Sequence, residues 1–253
     1  MTQPIMALRL ALIGYGKMGK EIERVAIDRG MEITARVDID APSLSVEGVR
    51  TADVAVHFAL PPTVVKHVEE LAKLRKPVVI GTTGWQSDRE KIRSLVQSSG
   101  IGLVHASNFS LGVNVFYRIL KEAGSLFDRL ADYDVSVHEI HHKDKVDSPS
   151  GTAVSIANVL LSTIKRKSEI LAGSPDGKIR PEQLQVSSER IGSVVGTHTV
   201  RFDSAADSIE IVHTAKNRTG FALGAVVAAE WVKDKKGMFT FEEVLADLFK
   251  QPR

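Results

Sequence analysis

Positions 139–153 read Glu-Ile-His-His-Lys-Asp-Lys-Val-Asp-Ser-Pro-Ser-Gly-Thr-Ala. Two histidines, two lysines and three acids stand directly before an apolar stripe at helical spacing, Ala153, Ala157, Leu160, Leu161 and Ile164. Pro149 disfavours helix at Ser148, so Ser150 is the expected N-cap. The N–H groups of Gly151 and Thr152 then fall in the first turn, without intrahelical partners, at the positive end of the helix dipole. That is an anion site, and Gly151 allows a ligand close to the backbone. A carboxylate held there lies near His141, His142 and Lys145. Imidazoles exchange protons near neutrality, and an ammonium donates a proton or neutralises a carboxylate. The same composition also fits a charged surface loop before a capped helix. His141 and His142 are neighbours on an expected strand and point to opposite faces, so no metal site is expected.

A second chemical signal lies near the N-terminus. Gly14-Tyr15-Gly16-Lys17-Met18-Gly19 is a G-x-G-x-x-G between an apolar run and a helical pattern, the context a dinucleotide site needs. Its glycines allow a tight turn and close approach to a pyrophosphate, which then meets a helix N-terminus. Asp38 follows nineteen residues after Gly19, where a carboxylate accepts from adenosine ribose hydroxyls. It favours NADH over NADPH, with Arg36 and Lys17 near enough in sequence to soften that preference. The segments Gly81-Thr82-Thr83-Gly84 and Ala106-Ser107-Asn108-Phe109 leave the ends of two further expected strands. Their small and hydroxyl residues suit a nicotinamide ribose and carboxamide, with Phe109 beside the ring. Each also reads as ordinary turn chemistry.

The elements that must carry these residues fall into two groups. Strands are expected at 8–13, 32–37, 54–58, 78–80 and 101–105, with helices at 20–29, 63–74 and 87–98. Continuous apolar strands alternating with helices imply a parallel sheet covered on both faces. After residue 108 the pattern changes. A helix at 113–127 precedes strands at 133–139, 185–189, 197–202 and 208–213. In the first of these Tyr133, Val135 and Val137 share one face, and Asp134, Ser136 and His138 the other. Strands with one wet face imply an open mixed or antiparallel sheet. Residues 173–181 read as a loop, 221–232 as a small-residue helix, and 240–249 as a helix capped by Thr240 and Glu243. The expected fold is α/β: a Rossmann-type dinucleotide-binding domain at 1–108, with 219–253 packing back on it, and a smaller α+β substrate-binding domain at 109–218.

Composition narrows the classes. The 253 residues are 43% hydrophobic and 25% charged, ordinary for a globular protein. There is no cysteine, which excludes disulfides, thiolate catalysis and cysteine-ligated metals. A net charge of +2 gives no basic stripe for nucleic acid. The longest uncharged run, 148–164, is too short and polar for a membrane span, and no signal peptide is expected.

The E-x-H-H-x-x-K-x-D-x-P-S-G-T-A string resembles that of the 4-hydroxy-tetrahydrodipicolinate (dihydrodipicolinate) reductases. The resemblance extends over nearly the whole chain, through the glycine loop, Gly81–Gly84, Asn108-Phe109-Ser110, Gly196-Thr197-His198-Thr199-Val200 and residues 218–224 with Trp231. It implies reduction of 4-hydroxy-tetrahydrodipicolinate to tetrahydrodipicolinate with NADH or NADPH and loss of water, on the diaminopimelate route to lysine. It implies His141 as proton donor/acceptor and Lys145 as proton donor, with His142, Ser150, Gly151 and Thr152 holding a small cyclic dicarboxylate. Gly14 to Gly19, Asp38, Gly81 to Thr83 and Ala106 to Phe109 would hold the cofactor. It further implies a cytoplasmic homotetramer joined through the substrate domain. Closure between the two domains is the expected way to bring cofactor and substrate together and exclude water. The glycine loop is one residue shorter than the commoner G-x-x-G-x-x-G of the family. The stretch between Asp40 and Thr51 is also short, and Asp144 replaces a third histidine and takes no role. The competing readings are another Rossmann-type reductase or dehydrogenase, which lacks the histidine-lysine segment, and a non-catalytic dinucleotide sensor.

Overall fold

The structure is a computed structural model that describes residues 7–38, 44 and 46–250. In the short stretch between Asp40 and Thr51, residues 41–43 and 45 lie outside the described residues. Two compact units divide the chain: Met1–Leu111 with Arg218–Arg253, and Gly112–Asn217.

The first unit opens with β1 (Arg9–Ile13), α1 (Lys17–Asp28), β2 (Glu32–Val37), α2 (Glu47–Thr51), β3 (Val54–His57), α3 (Val64–Lys73), β4 (Val78–Ile80), α4 (Arg89–Ser99) and β5 (Gly102–His105). The second unit contains α5 (Leu111–Phe127, entered from the last residue of the first), β6 (Asp134–His141), α6 (Gly151–Thr163), β7 (Glu169–Ala172), β8 (Gln183–Arg190), β9 (Gly196–Asp203) and β10 (Ser208–Ala215). The chain then returns to the first unit with α7 (Thr219–Val232), β11 (Gly237–Thr240) and α8 (Phe241–Leu248).

The six strands of the first unit lie in the order β11-β5-β4-β3-β1-β2, all parallel. Their alternate residues feed two cores. Leu10, Leu12, Val54, Val56, Val79 and Val104 pack with the residues of α1, α7 and α8, while Ala11, Ile13, Ala55, Val78, Ile80 and Leu103 pack with those of α3 and α4. Strands covered on both faces read as unbroken apolar runs, which makes β1, β3, β4 and β5 legible in the sequence. Ala222, Ala225, Ala228 and Ala229 keep α7 close to the sheet. At Gly224 a Cβ would stand 1.8 Å from the Phe109 carbonyl oxygen.

The second unit has the order β10-β9-β6-β8-β7; β6 is antiparallel to β9 and parallel to β8. One face carries the core: Val135, Val137, Leu184, Val186, Val200 and Phe202 pack with Phe116, Leu120 and Phe127 of α5 and with Ala153, Ile156, Ala157 and Leu160 of α6. Phe127 and Phe202 stack with ring centroids 4.0 Å apart. Strands β7 and β11 and helix α2, four or five residues each, have no counterpart in the sequence reading. They are too short for a period to show. Among the described residues no helix is long and apolar enough to cross a membrane.

Candidate active site

The glycine turn joins β1 to α1. Gly14 has φ +90°, the left-handed region that disfavours a side chain, and its N–H donates to the Val37 carbonyl over 2.7 Å. A Cβ on Gly14 would come 2.3 Å from the Phe58 carbonyl oxygen, and one on Gly19 2.3 Å from the Gly14 carbonyl oxygen. Gly16 caps α1 with extended backbone, exposed, with nothing near its Cβ position. The first turn of α1 carries no acid and no side-chain cap, so its N–H groups are available to an anion. The helix begins at Lys17, three residues before its expected start at residue 20. Lys17 is exposed, Met18 half-buried against the core, and Asp38 exposed beyond β2. Tyr15 donates its hydroxyl to Glu23, which also pairs with Arg36.

The loops after β4 and β5 line a cavity of about 40 Å³ with Thr82, Thr83, Trp85, His105, Ala106 and Ser107. Thr82 itself turns inward. Its Oγ1 accepts from the Ala59 N–H at 3.1 Å and meets Nδ1 of His57 at 2.9 Å; Nε2 of His57 meets Nδ1 of His67 at 2.9 Å. This chain of contacts fastens the loop after β4 to the end of β3. Thr83 and Ser107 are exposed, and Asn108 accepts the Ser110 N–H.

In the second unit His141 ends β6 on the helix-covered face, 7% exposed, and its neighbour His142 is half-buried. Burial lowers the His141 pKa to about 4, against the opposing pull of Glu139, so the ring is neutral at pH 7. The loop that follows carries Lys145, whose Nζ pairs with Asp147 at 2.6 Å. Lys145, assisted by the Gly151 N–H, holds the Asp147 carboxyl below its usual range. Ser150 caps α6 by accepting the Ala153 N–H at 3.1 Å. Gly151 is exposed at the start of α6, and Thr152 is half-buried beside Tyr117. The arrangement places a neutral base, an ammonium and a helix start whose first N–H is held by the Asp147 carboxylate within one short segment.

Family models match both halves of the chain: "Dihydrodipicolinate reductase, N-terminus" over residues 8–109 and "Dihydrodipicolinate reductase, C-terminus" over 112–245. The chain belongs to the dihydrodipicolinate reductase family. A 4-hydroxy-tetrahydrodipicolinate reductase of Christiangramia forsetii is 42% identical over 96% of this chain and 100% of its own length. Another, of Methanoregula boonei, is 35% identical over 85% of this chain and 82% of its own. A solved dipicolinate-bound dihydrodipicolinate reductase from Paenisporosarcina sp. TG-14 has the same fold, with a TM-score of 0.76 and 23% identity over 94% of this chain and 99% of that one.

Within this reductase three expected ligand contacts change character. Phe109 is buried and packs on Phe241, with centroids 4.9 Å apart, so its ring belongs to the core and only its backbone is left for a cofactor. The Thr82 hydroxyl is taken by His57 and Ala59. The Ser150 hydroxyl is taken by the helix cap and lies buried. The fold also gathers residues to which the sequence reading gave no role. Glu139, His198 from β9 and Arg190 from β8 surround His141, and Glu139, His141 and His198 offer three ligand-type atoms within 4.8 Å of one another. His198 is distant from His141 in sequence, so neither the adjacency of His141 and His142 nor the lack of thiols bears on this trio.

The His57 contact has a measurable consequence. Burial pushes the His57 pKa down to about 3. An unfolded histidine takes up its proton near pH 6.5, which folded His57 refuses until about pH 3. Stability is therefore lost progressively as pH falls through that window. The melting temperature of the wild type should drop more steeply between about pH 6 and pH 4 than that of His57→Gln, by calorimetry. Equal slopes would remove His57 from the account.

Proposed function

We propose that the chain reduces 4-hydroxy-tetrahydrodipicolinate to tetrahydrodipicolinate, on the diaminopimelate route to lysine. The balance is one hydride and one proton in, one water out. Membership of the reductase family supports the reaction. The observation that carries the residue roles is the shared placement of buried His141, Lys145 and the start of α6, where Lys145 and the Gly151 N–H already hold one carboxylate, that of Asp147.

Gly14 to Gly19 would hold the pyrophosphate of NADH or NADPH, Asp38 the adenosine ribose, and the backbone of Gly81, Thr82, Thr83 and Ala106 to Phe109 the nicotinamide half. The turn fits such a group: Gly14 and Gly19 let its backbone segments pack closely, where a Cβ would strike the Phe58 or Gly14 carbonyl, and Gly16 lies open at the helix start. When bound, the reduced nicotinamide supplies the hydride. Asp38 favours NADH, because a carboxylate repels a 2′-phosphate. His142, Gly151 and Thr152 bind the ring carboxylates, at the helix start where Asp147 now rests against Lys145. Lys145 delivers the proton, and His141, neutral at rest, exchanges it. A substrate carboxylate draws Lys145 from Asp147 and brings it to the ring. We further propose a cytoplasmic homotetramer joined through the second unit, whose sheet leaves Ser136 and His138 of β6 on the face away from its helices.

Pyridine-2,6-dicarboxylate, a planar product-like dicarboxylate, tests the binding half. It should bind by calorimetry and compete with substrate, and bind more weakly to Lys145→Ala. Absence of binding at millimolar concentration contradicts the proposal.

A further inference from the structure

Glu139 is the least expected feature of the second unit: a carboxylate with no solvent exposure, on the core face of a strand. A buried charge must be paired to persist. One oxygen is fully engaged. Oε1 accepts from the Ser150 N–H at 2.9 Å, the Ser188 hydroxyl at 2.8 Å and Nη2 of Arg190 at 2.9 Å. Burial by itself would raise the Glu139 pKa; His198, Ser150 and Arg190 outweigh it and hold the group ionised. The other oxygen has no hydrogen bond. Oε2 lies 3.3 Å from Nδ1 of His141, itself buried without a partner, and 3.6 Å from Nε2 of His198. The two imidazoles stand edge to face, centroids 5.1 Å apart. On its far side the His141 ring lies over Gly196, where a Cβ would come 2.9 Å from Nε2.

We propose that Glu139 is the positioning residue of this site: it fixes His141 with the proton on Nδ1 and leaves Nε2 as the atom that exchanges a proton with the substrate. The inference rests on the reading of His141 as the proton-handling group. An ionised carboxylate beside Nδ1 selects that tautomer and steadies the imidazolium when it forms. Gly196 leaves the space that Nε2 occupies. Arg190 has a second task, since its Nη2 also donates to the Asp147 carbonyl at 2.7 Å and so ties Glu139 to the Lys145 loop. The trio resembles a His₂Glu metal set. The Arg190 guanidinium on the same carboxylate, with Lys145 near His141, favours a proton there over a divalent cation.

Glu139→Gln keeps the shape and removes the charge. We expect kcat to fall about 10²-fold, the low end for a positioned proton-transfer group, with the dinucleotide Kd unchanged. The groups facing His141 are Glu139, His198, Lys145 and Arg190, and Glu139 is the one that raises its pKa. The pH limb of kcat/KM assigned to His141 should therefore move to lower pH in Glu139→Gln. A merely structural role would lower stability and leave that limb in place. Should the variant fail to fold, ¹⁵N spectra of histidine-labelled wild type decide, with His141 assigned by its loss in His141→Gln. A protonated Nδ1 and bare Nε2 at pH 7 support the proposal. The opposite tautomer, or a stoichiometric divalent ion retained by the purified protein, overturns it. The spectra report the tautomer without turnover, so they separate this proposal from the wider functional reading.

Discussion

Lys145→Ala and His141→Ala each lower kcat by about 10²–10⁴-fold, the usual contribution of positioned proton transfer. Steady-state kinetics with saturating dinucleotide give the number. Both residues belong to the second unit and the glycine turn to the first, so the Kd of NADH, read by fluorescence, should stay within about twofold of wild type. The two variants should differ in pyridine-2,6-dicarboxylate binding. Lys145 carries the charge that a carboxylate meets, while His141 is neutral at rest, with a pKa of about 4. Lys145→Ala therefore loses inhibitor affinity and His141→Ala keeps most of it. Wild-type turnover in both would end the assignment.

The second large effect is at the glycine turn. Gly19→Ala forces a Cβ to 2.3 Å from the Gly14 carbonyl oxygen, so the turn must shift. Overpacking of this kind costs about 1–3 kcal/mol, or about 5- to 200-fold if it falls on cofactor binding. We expect a lower melting temperature together with a weaker Kd for NADH and NADPH. Gly16→Ala separates folding from binding. Its Cβ meets nothing within 4 Å, so the turn need not shift and the stability loss should not exceed about 1 kcal/mol, the usual cost of Ala at an N-cap. A pyrophosphate brought against Gly16 would still collide with the new methyl, and the Kd should rise. If Gly16→Ala binds both dinucleotides normally, the pyrophosphate does not lie over this turn.

The sequence revealed the fold most clearly where burial writes a local pattern. Strands β1, β3 and β4 are covered on both faces and stand out as apolar runs. Helix α8 was marked by Thr240 and Glu243, which form a reciprocal capping box. In β6 the alternation reads clearly from Tyr133, with the strand expected to end at Glu139 and the buried face assigned as far as Val137. The same period of two continues to Glu139 and His141, and a carboxylate in phase with a core face was the available signal. His198 lies in phase with Val200 and Phe202 in the same way. What no local pattern carries is that β6 sits between β8 and β9, because register depends on contacts 49 residues apart with β8 and 57 to 69 apart with β9. Loop side chains were illegible for a related reason. Thr82, Phe109 and Ser150 are ligand-like in type, and only the fold shows their atoms engaged by His57, Phe241 and the α6 cap.

The most direct measurement is a coupled assay. A synthase condenses pyruvate with aspartate semialdehyde to form 4-hydroxy-tetrahydrodipicolinate, and oxidation of NADH or NADPH is followed at 340 nm. The account predicts oxidation that requires this protein and the synthase together, with NADH the better donor, and that Lys145→Ala nearly abolishes. Reduced dinucleotide that stays unoxidised with the protein folded and the synthase active would contradict it.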